Sequence, residues 1–177
     1  MKKLIMFAAC LGVTAVALGQ GNVNFGNRVT AEGVNAIVTD LATGAPLDGG
    51  TWQAQLYAGA AMDALSPVGA AVGFRTGAAA GYITSVARAV DGIPGGASAY
   101  VAMAVWDSAD GASYEVAEAA FGKVGMSIPV EITLTAPPAT PAAMAGMQAF
   151  GVAAIPEPST LALGLLGIGA LMMRRRR

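Results

Sequence analysis

The chain of 177 residues contains no histidine, and its single cysteine is Cys10. Without imidazole there is no group to take the proton in Ser-His-Asp or Cys-His catalysis, so both are excluded. Ordinary zinc and copper sites, which use imidazole or thiolate, go with them. Cys10 lies in a segment expected to be removed, so no disulfide is expected in the mature chain. The sequence holds no G-x-x-x-x-G-K-S/T and no G-x-G-x-x-G between a strand and a helix, hence no phosphate cradle. Charge is scarce, at 12% of residues, and unevenly placed. Lys2 and Lys3 stand near one end and Arg174, Arg175, Arg176 and Arg177 at the other. Between them residues 4–173 hold four basic residues (Arg28, Arg75, Arg88 and Lys123) against eleven acidic ones, a net −7. A nucleic-acid binder needs a basic patch, and this body is acidic, so no nucleic-acid partner is expected. No cofactor is expected either.

Hydrophobic residues make up 55% of the chain, which is too many for a disordered one. Met1-Lys2-Lys3 is a short basic region, and Leu4 to Leu18 is apolar apart from Gly12 and Thr14. Ala17-Leu18-Gly19 then sets small residues at the −3 and −1 positions before Gln20. This is the layout of a secretory signal peptide over residues 1–19, to be cut by signal peptidase between Gly19 and Gln20. The apolar run is short for a retained transmembrane helix.

Residues 20–154 read as a β-rich body. Asn22–Gly26 alternates Val23 and Phe25 against asparagines, and Val34–Asp40 is a β-branched run. Leu41–Asp48 with Gly49-Gly50 forms a turn. Thr51–Gly59 sets Trp52, Ala54, Leu56 and Ala58 on one face and Tyr57 with its polar neighbours on the other. Ala71–Thr76, Gly81–Val90, Ala99–Asp107 and Ile128–Thr135 read as further strands, the last with Ile128, Val130, Ile132 and Leu134 turned inward. Asp91-Gly92, Pro94-Gly95-Gly96 and Asp110-Gly111 supply turns. Short strands at this spacing predict a mainly antiparallel β-sandwich, jelly-roll or immunoglobulin-like. At most one short helix is expected, over Ser113–Phe121. There Glu115 and Glu118 sit early and Lys123 late, as the helix dipole favours. A strand over Ser113–Val116 is the rival reading. Ala-Pro-Pro-Ala-Thr-Pro after Thr135 cannot enter a sheet interior. Gln148–Ala154 is favoured as a last strand over a stalk, since Phe150 is costly to leave in water.

Candidate sites are sparse. Asp107 and Asp110 could form half of a Ca²⁺ site, but the dense acidic pattern of such a loop is lacking, and a turn is the better reading. Glu115 and Glu118 could be a glycosidase pair, but their i, i+3 spacing suits a solvated helix face. Tyr57, Tyr100 and Trp106 could build a sugar-stacking platform, against a simpler role in the core.

The remaining segment, 155–177, carries Pro156-Glu157-Pro158, then the apolar and Gly-containing run Leu161–Met173, then four Arg. Thirteen residues at helical rise reach only about 20 Å, short of the roughly 30 Å of hydrocarbon in a bilayer. The Arg cluster favours a cytoplasmic far end by the positive-inside rule. In that order these features resemble the PEP-CTERM sorting domain of Gram-negative bacteria, over about residues 154–177. The resemblance implies an exported precursor whose transmembrane tail is a transient inner-membrane anchor. An exosortase would read Pro156-Glu157-Pro158 and cut near it, leaving the protein at the cell surface or in an extracellular matrix, as a biofilm- or exopolysaccharide-associated component. The body gives no sign of family. A non-enzymatic surface component is the favoured reading. A carbohydrate-binding module is the alternative, with extracellular polysaccharide as partner, and a carboxylate-type hydrolase is third.

Overall fold

A computed structural model describes residues 19–156. The expected signal segment, apart from Gly19, and the expected transmembrane helix lie outside the described residues, as do Glu157, Pro158 and the Arg cluster. Among the described residues no helix is long and apolar enough to cross a membrane.

The body is mainly β, as its alternation predicts. The chain opens with β1, Gln20–Phe25, in which Val23 and Phe25 are fully buried. Strands β2 (Arg28–Val29) and β3 (Val34–Asn35) form a small ribbon around a 3-10 turn, Thr30–Glu32. Then come β4 (Val38–Asp40), β5 (Trp52–Gly59) and β6 (Ser66–Gly73). After them run β7 (Val86–Pro94) and β8 (Ser98–Asp107). The one α-helix, α1, spans Tyr114–Ala119. The chain continues through β9 (Lys123–Met126), β10 (Val130–Thr133), β11 (Ala142–Ala143) and β12 (Phe150–Ala154).

One sheet has the order β11-β1-β7 and the larger one the order β4-β12-β9-β8-β5-β6, with β10 also on β8. The pairings are antiparallel except β1–β11 and β4–β12. Both parallel pairs arise because the last two strands return beside the first ones. Strand β8 is the spine. One edge pairs with β5 along Tyr100–Asp107. The other serves β10 at Ser98–Val101 and β9 at Ala104–Trp106. Ser127 fills the gap between those two partners: its N–H donates to Met103 O at 2.9 Å and its Oγ accepts from Met103 N–H at 3.0 Å.

Strands of both sheets contribute to one core, where Val23, Phe25 and Val90 meet Leu56, Val101, Met103 and Leu134. Several of its positions are Ala, so Phe25, Leu56, Met103 and Leu134 supply much of the packed volume. A buried Asn27 joins three segments. Its Nδ2 donates to Ala36 O and Gly81 O, each at 2.8 Å, and its Oδ1 accepts from Ile83 N–H at 3.0 Å. With these bonds made, its burial carries no desolvation debt.

Several segments depart from the sequence expectation. The strand expected at Ala71–Thr76 starts earlier, at Ser66. The one expected at Gly81–Val90 shifts to Val86–Pro94, and Asp91-Gly92 becomes a bulge inside it, where Gly21 faces Val90 but Gln20 faces Pro94. Gly92 takes φ 77° there. The run Val34–Asp40 is split in two. Ile128 does not face inward: it is 73% exposed. Pro129 follows it and cannot donate to a ladder, so β10 begins only at Val130.

Candidate functional site

The described chain leaves the sheet through β12, and that exit is the candidate site. Phe150–Val152 pair in parallel with Val38–Asp40, and Ala153 and Ala154 pair antiparallel with Val124 and Lys123. Outside the ladder, Leu41 N–H donates to Val152 O at 2.9 Å and Phe150 N–H to Ile37 O at 3.3 Å. Val152 is fully buried in the main core. Gln148–Ala154 is therefore a strand rather than a stalk over its last five residues. One residue further, Ile155 N–H still donates to Gly122 O at 3.3 Å, and its side chain packs against Trp106, Ala117 and Val124.

Close approach of β9 and β12 needs glycine. A Cβ on Gly125 would lie 2.6 Å from Gly151 O, a backbone atom that cannot swing away. Gly125 thus lets the two backbones sit side by side, while Gly151 makes room for the Leu41 side chain.

An ion pair lies at the same place. Lys123 Nζ stands 3.0 Å from Asp40 Oδ2. Asp40 is the β4 partner of Val152, and Lys123 is the β9 partner of Ala154. Because β12 runs between β4 and β9, this pair straps across the last strand just before the chain departs. Asp40 is only 9% exposed, and its Oδ1 also accepts from Ala42 N–H at 2.8 Å. The Lys123 hydrogen bond, followed by that of Ala42, holds the Asp40 carboxyl below the ordinary carboxylate range. Asp40 in turn raises the Lys123 ammonium, with smaller contributions from Asp107 and Asp110. The ammonium lies 5.8 Å from the centre of the Trp52 ring.

The structure brings Asp107 and Asp110 to this corner, each with one oxygen engaged by backbone. Asp107 Oδ1 accepts from Ala109 N–H at 3.0 Å, and Asp110 Oδ2 accepts from Lys123 N–H at 2.7 Å. Gly122 is required here, since a Cβ would fall 2.4 Å from Asp110 Cβ. These are turn and loop-closing roles, and among the described residues no group of three or more His, Cys, Asp or Glu is placed to hold a metal ion.

Glu115 and Glu118 sit on α1, whose N-cap Ser113 accepts from Val116 N–H. The helix covers the second face of β5 and β8. Tyr57 is buried there, in the core role favoured for it over a sugar platform, and its hydroxyl donates to Glu115 Oε1. Tyr57 and Tyr114 meet edge to face at 6.0 Å. Burial first, then the Glu115 bond, pushes the Tyr57 hydroxyl above its usual range; burial and then Glu118 do the same to Tyr114. The Tyr57 bond lowers Glu115. Trp106 is 1% exposed, with Nε1–H donating to Gly111 O at 3.0 Å. Of the three aromatics considered for a sugar platform, Tyr57 and Trp106 belong to the interior. Tyr100 is half-buried, its hydroxyl 3.5 Å from Glu131 Oε2.

The sequence reading missed Asp40. The chain has one interior Lys, but its partner is 83 positions away, and only the sheet order brings them together.

Residues 154–177 match the family model described as the PEP-CTERM protein-sorting motif. No curated protein and no solved structure matches the chain. The motif implies processing by an exosortase and an exported, membrane-transiting precursor that ends at the cell surface. Its first residue, Ala154, is the last of β12, so what leaves the strapped edge of this β-rich body is a PEP-CTERM sorting segment.

Proposed function

We propose that the chain is a non-enzymatic surface or extracellular-matrix component of a Gram-negative bacterium. It is made with a signal peptide over residues 1–19, held for a time at the inner membrane by its tail, and then released or attached after exosortase cleavage. One observation carries the reading: the fold grips the chain through Ile155, and Pro156-Glu157-Pro158 starts at the next residue. The body thus hands directly to the segment that the enzyme reads, with no long stalk between. Only residues 156–160 separate Ile155 from the apolar run at Leu161. Fully extended, they span at most about 17 Å. The folded body is therefore presented close to the membrane surface while the tail is in place.

Two further features support a structural role. Asp40, Asp107, Asp110 and Glu115 are engaged in turns, a strap and a helix-to-sheet bond, and the two Trp side chains serve packing or a cation contact. Attachment to extracellular polysaccharide belongs to the same proposal, as the setting in which such a component would act.

Protease treatment of spheroplasts expressing the full chain tests the export half. Digestion of the body from outside, with a cytoplasmic marker intact, is the expected result. A body protected together with the marker would refute it.

A further inference from the structure

A groove of about 670 Å³ lies between β6 and β7, remote in sequence from the tail and lined by Ala58, Gly59, Val68, Gly69, Arg88 and Asp91 among others. That volume falls in the range of ligand sites, roughly 300–1,000 Å³. Its two walls have a common property: β6 is the end strand of the larger sheet and β7 the end strand of the smaller one. Two strand edges therefore face one seam without pairing to each other. The eight residues of β6 contain no charge, and most are exposed. An uncharged edge is the kind that accepts another strand, here over the residues after Pro67, which has no N–H to donate.

Arg88 spans the seam. Its Nη2 donates to Ala70 O, on β6, at 2.7 Å. The Arg88 side chain lies against Gly69, where a Cβ would stand 2.9 Å from Arg88 Cδ and 3.0 Å from Nε. Gly69 has φ 68°, so it is fitted to this position twice over. Within the described residues Arg88 has no carboxylate partner, and its Nε is buried without any hydrogen bond. Asp91, the anion of the groove, instead accepts from Gln20 Nε2 at 2.8 Å. A buried guanidinium donor without an acceptor is costly, and it is the one buried side-chain polar atom so left among the described residues.

We propose that the β6–β7 seam binds an extended peptide strand carrying one carboxylate, and that Arg88 is its recognition residue. On binding, the guanidinium leaves Ala70 O and turns to the carboxylate, which takes Nε and Nη2 together in the bidentate geometry that suits arginine. A backbone N–H of the incoming strand takes Ala70 O in its place. The exchange leaves no acceptor bare and gives the orphaned Nε a partner. A peptide fits better than a saccharide, because no aromatic side chain lines the groove and both walls are strand edges. A single carboxylate fits better than several, because Asp91 and the net negative body would repel more. The site is independent of tail processing.

The test uses the purified full chain and a short fluorescent peptide of alternating Thr and Val with one central Glu. Anisotropy should show saturable binding, and amide resonances should shift over residues 66–73 and 86–93. Replacing the central Glu of the peptide by Gln should weaken binding about tenfold or more. Arg88→Met should abolish the preference for Glu over Gln, and Arg88→Lys should keep part of it, which guards against a variant that fails to fold. Equal binding of the two peptides by the wild-type chain would overturn the proposal. So would shifts confined to other strands, the same shifts with acetate alone, or self-association through β6 that excludes the peptide.

Discussion

Asp40 and Lys123 form an ion pair, and each titrates in a direction set chiefly by the other. The Asp40 carboxyl is lowered in the fold, so it contributes stability above its unfolded value near pH 4, and this is lost as pH falls through the folded value. The Lys123 ammonium is raised, so its contribution is present below about pH 10 and is lost at still higher pH. Asp40→Asn should therefore lower the midpoint of urea unfolding at pH 7, and the gap from wild type should close as pH drops below 4. A gap independent of pH would show that the ionised carboxylate of Asp40 contributes nothing, the loss then being one of packing. Tyr57 governs the opposite limb. Its raised hydroxyl stays protonated in the fold while the unfolded chain ionises near pH 10, so stability falls as pH rises past 10. Tyr57→Phe removes that part of the alkaline loss and the bond to Glu115 with it. At pH 7 it should cost about 1 kcal/mol, measured by denaturation, with Glu115→Gln in a double-mutant cycle to isolate the pair.

At the scale of elements, the sequence was most legible where apolar residues alternate or run unbroken. Strand β8 lies within one residue of its expected span, and α1 lies inside Ser113–Phe121 with Ser113 as its cap. Legibility failed where Ala and Gly fill both faces. Ser66–Gly73 and Val86–Pro94 have almost no period-two contrast, so their boundaries depend on partners rather than on local pattern. What buries Tyr57 was not legible for a related reason: its face of β5 is covered by a helix that follows more than fifty residues later. The position of β12 between β4 and β9 was not legible either, because non-local sheet order leaves no trace in a single segment. Neither, for that reason, was the Asp40–Lys123 strap. The packing of β12 gives its own prediction. Gly125→Ala sets a Cβ against Gly151 O, so β9 and β12 must part or shift. The expected loss is about 1–3 kcal/mol in urea denaturation, in the range of overpacked cores. Wild-type stability in this variant would mean that β12 can be displaced without cost, and the exit would then be loosely held.

For the whole molecule, the consequence of that grip is where processing can begin. The tail was legible at once because its signal is contiguous: Pro156-Glu157-Pro158, an apolar run and four Arg follow one another without help from the fold. What the fold adds is an upstream limit. Phe150–Val152 are paired with β4, Ala153 and Ala154 with β9, and Ile155 is bonded to Gly122, so a protease-like active site cannot take them in extended form without melting these pairings. Pro156 is the first residue clear of the grip. In a host that contains an exosortase, the mature protein is expected to lack Leu161–Arg177 and to end between Pro156 and Thr160. Replacing Pro156-Glu157-Pro158 by alanines should leave export intact while full-length chain accumulates in the membrane. Lys123→Met leaves the motif intact and removes only the strap, so its C-terminus should become ragged and extend upstream of Ile155. Mass spectrometry of the C-terminal peptide reads all three. Wild-type protein that keeps its four Arg would reduce the tail to an anchor. A clean wild-type terminus shared by the Lys123 variant would show that the enzyme, and not the strapped strand, sets the limit.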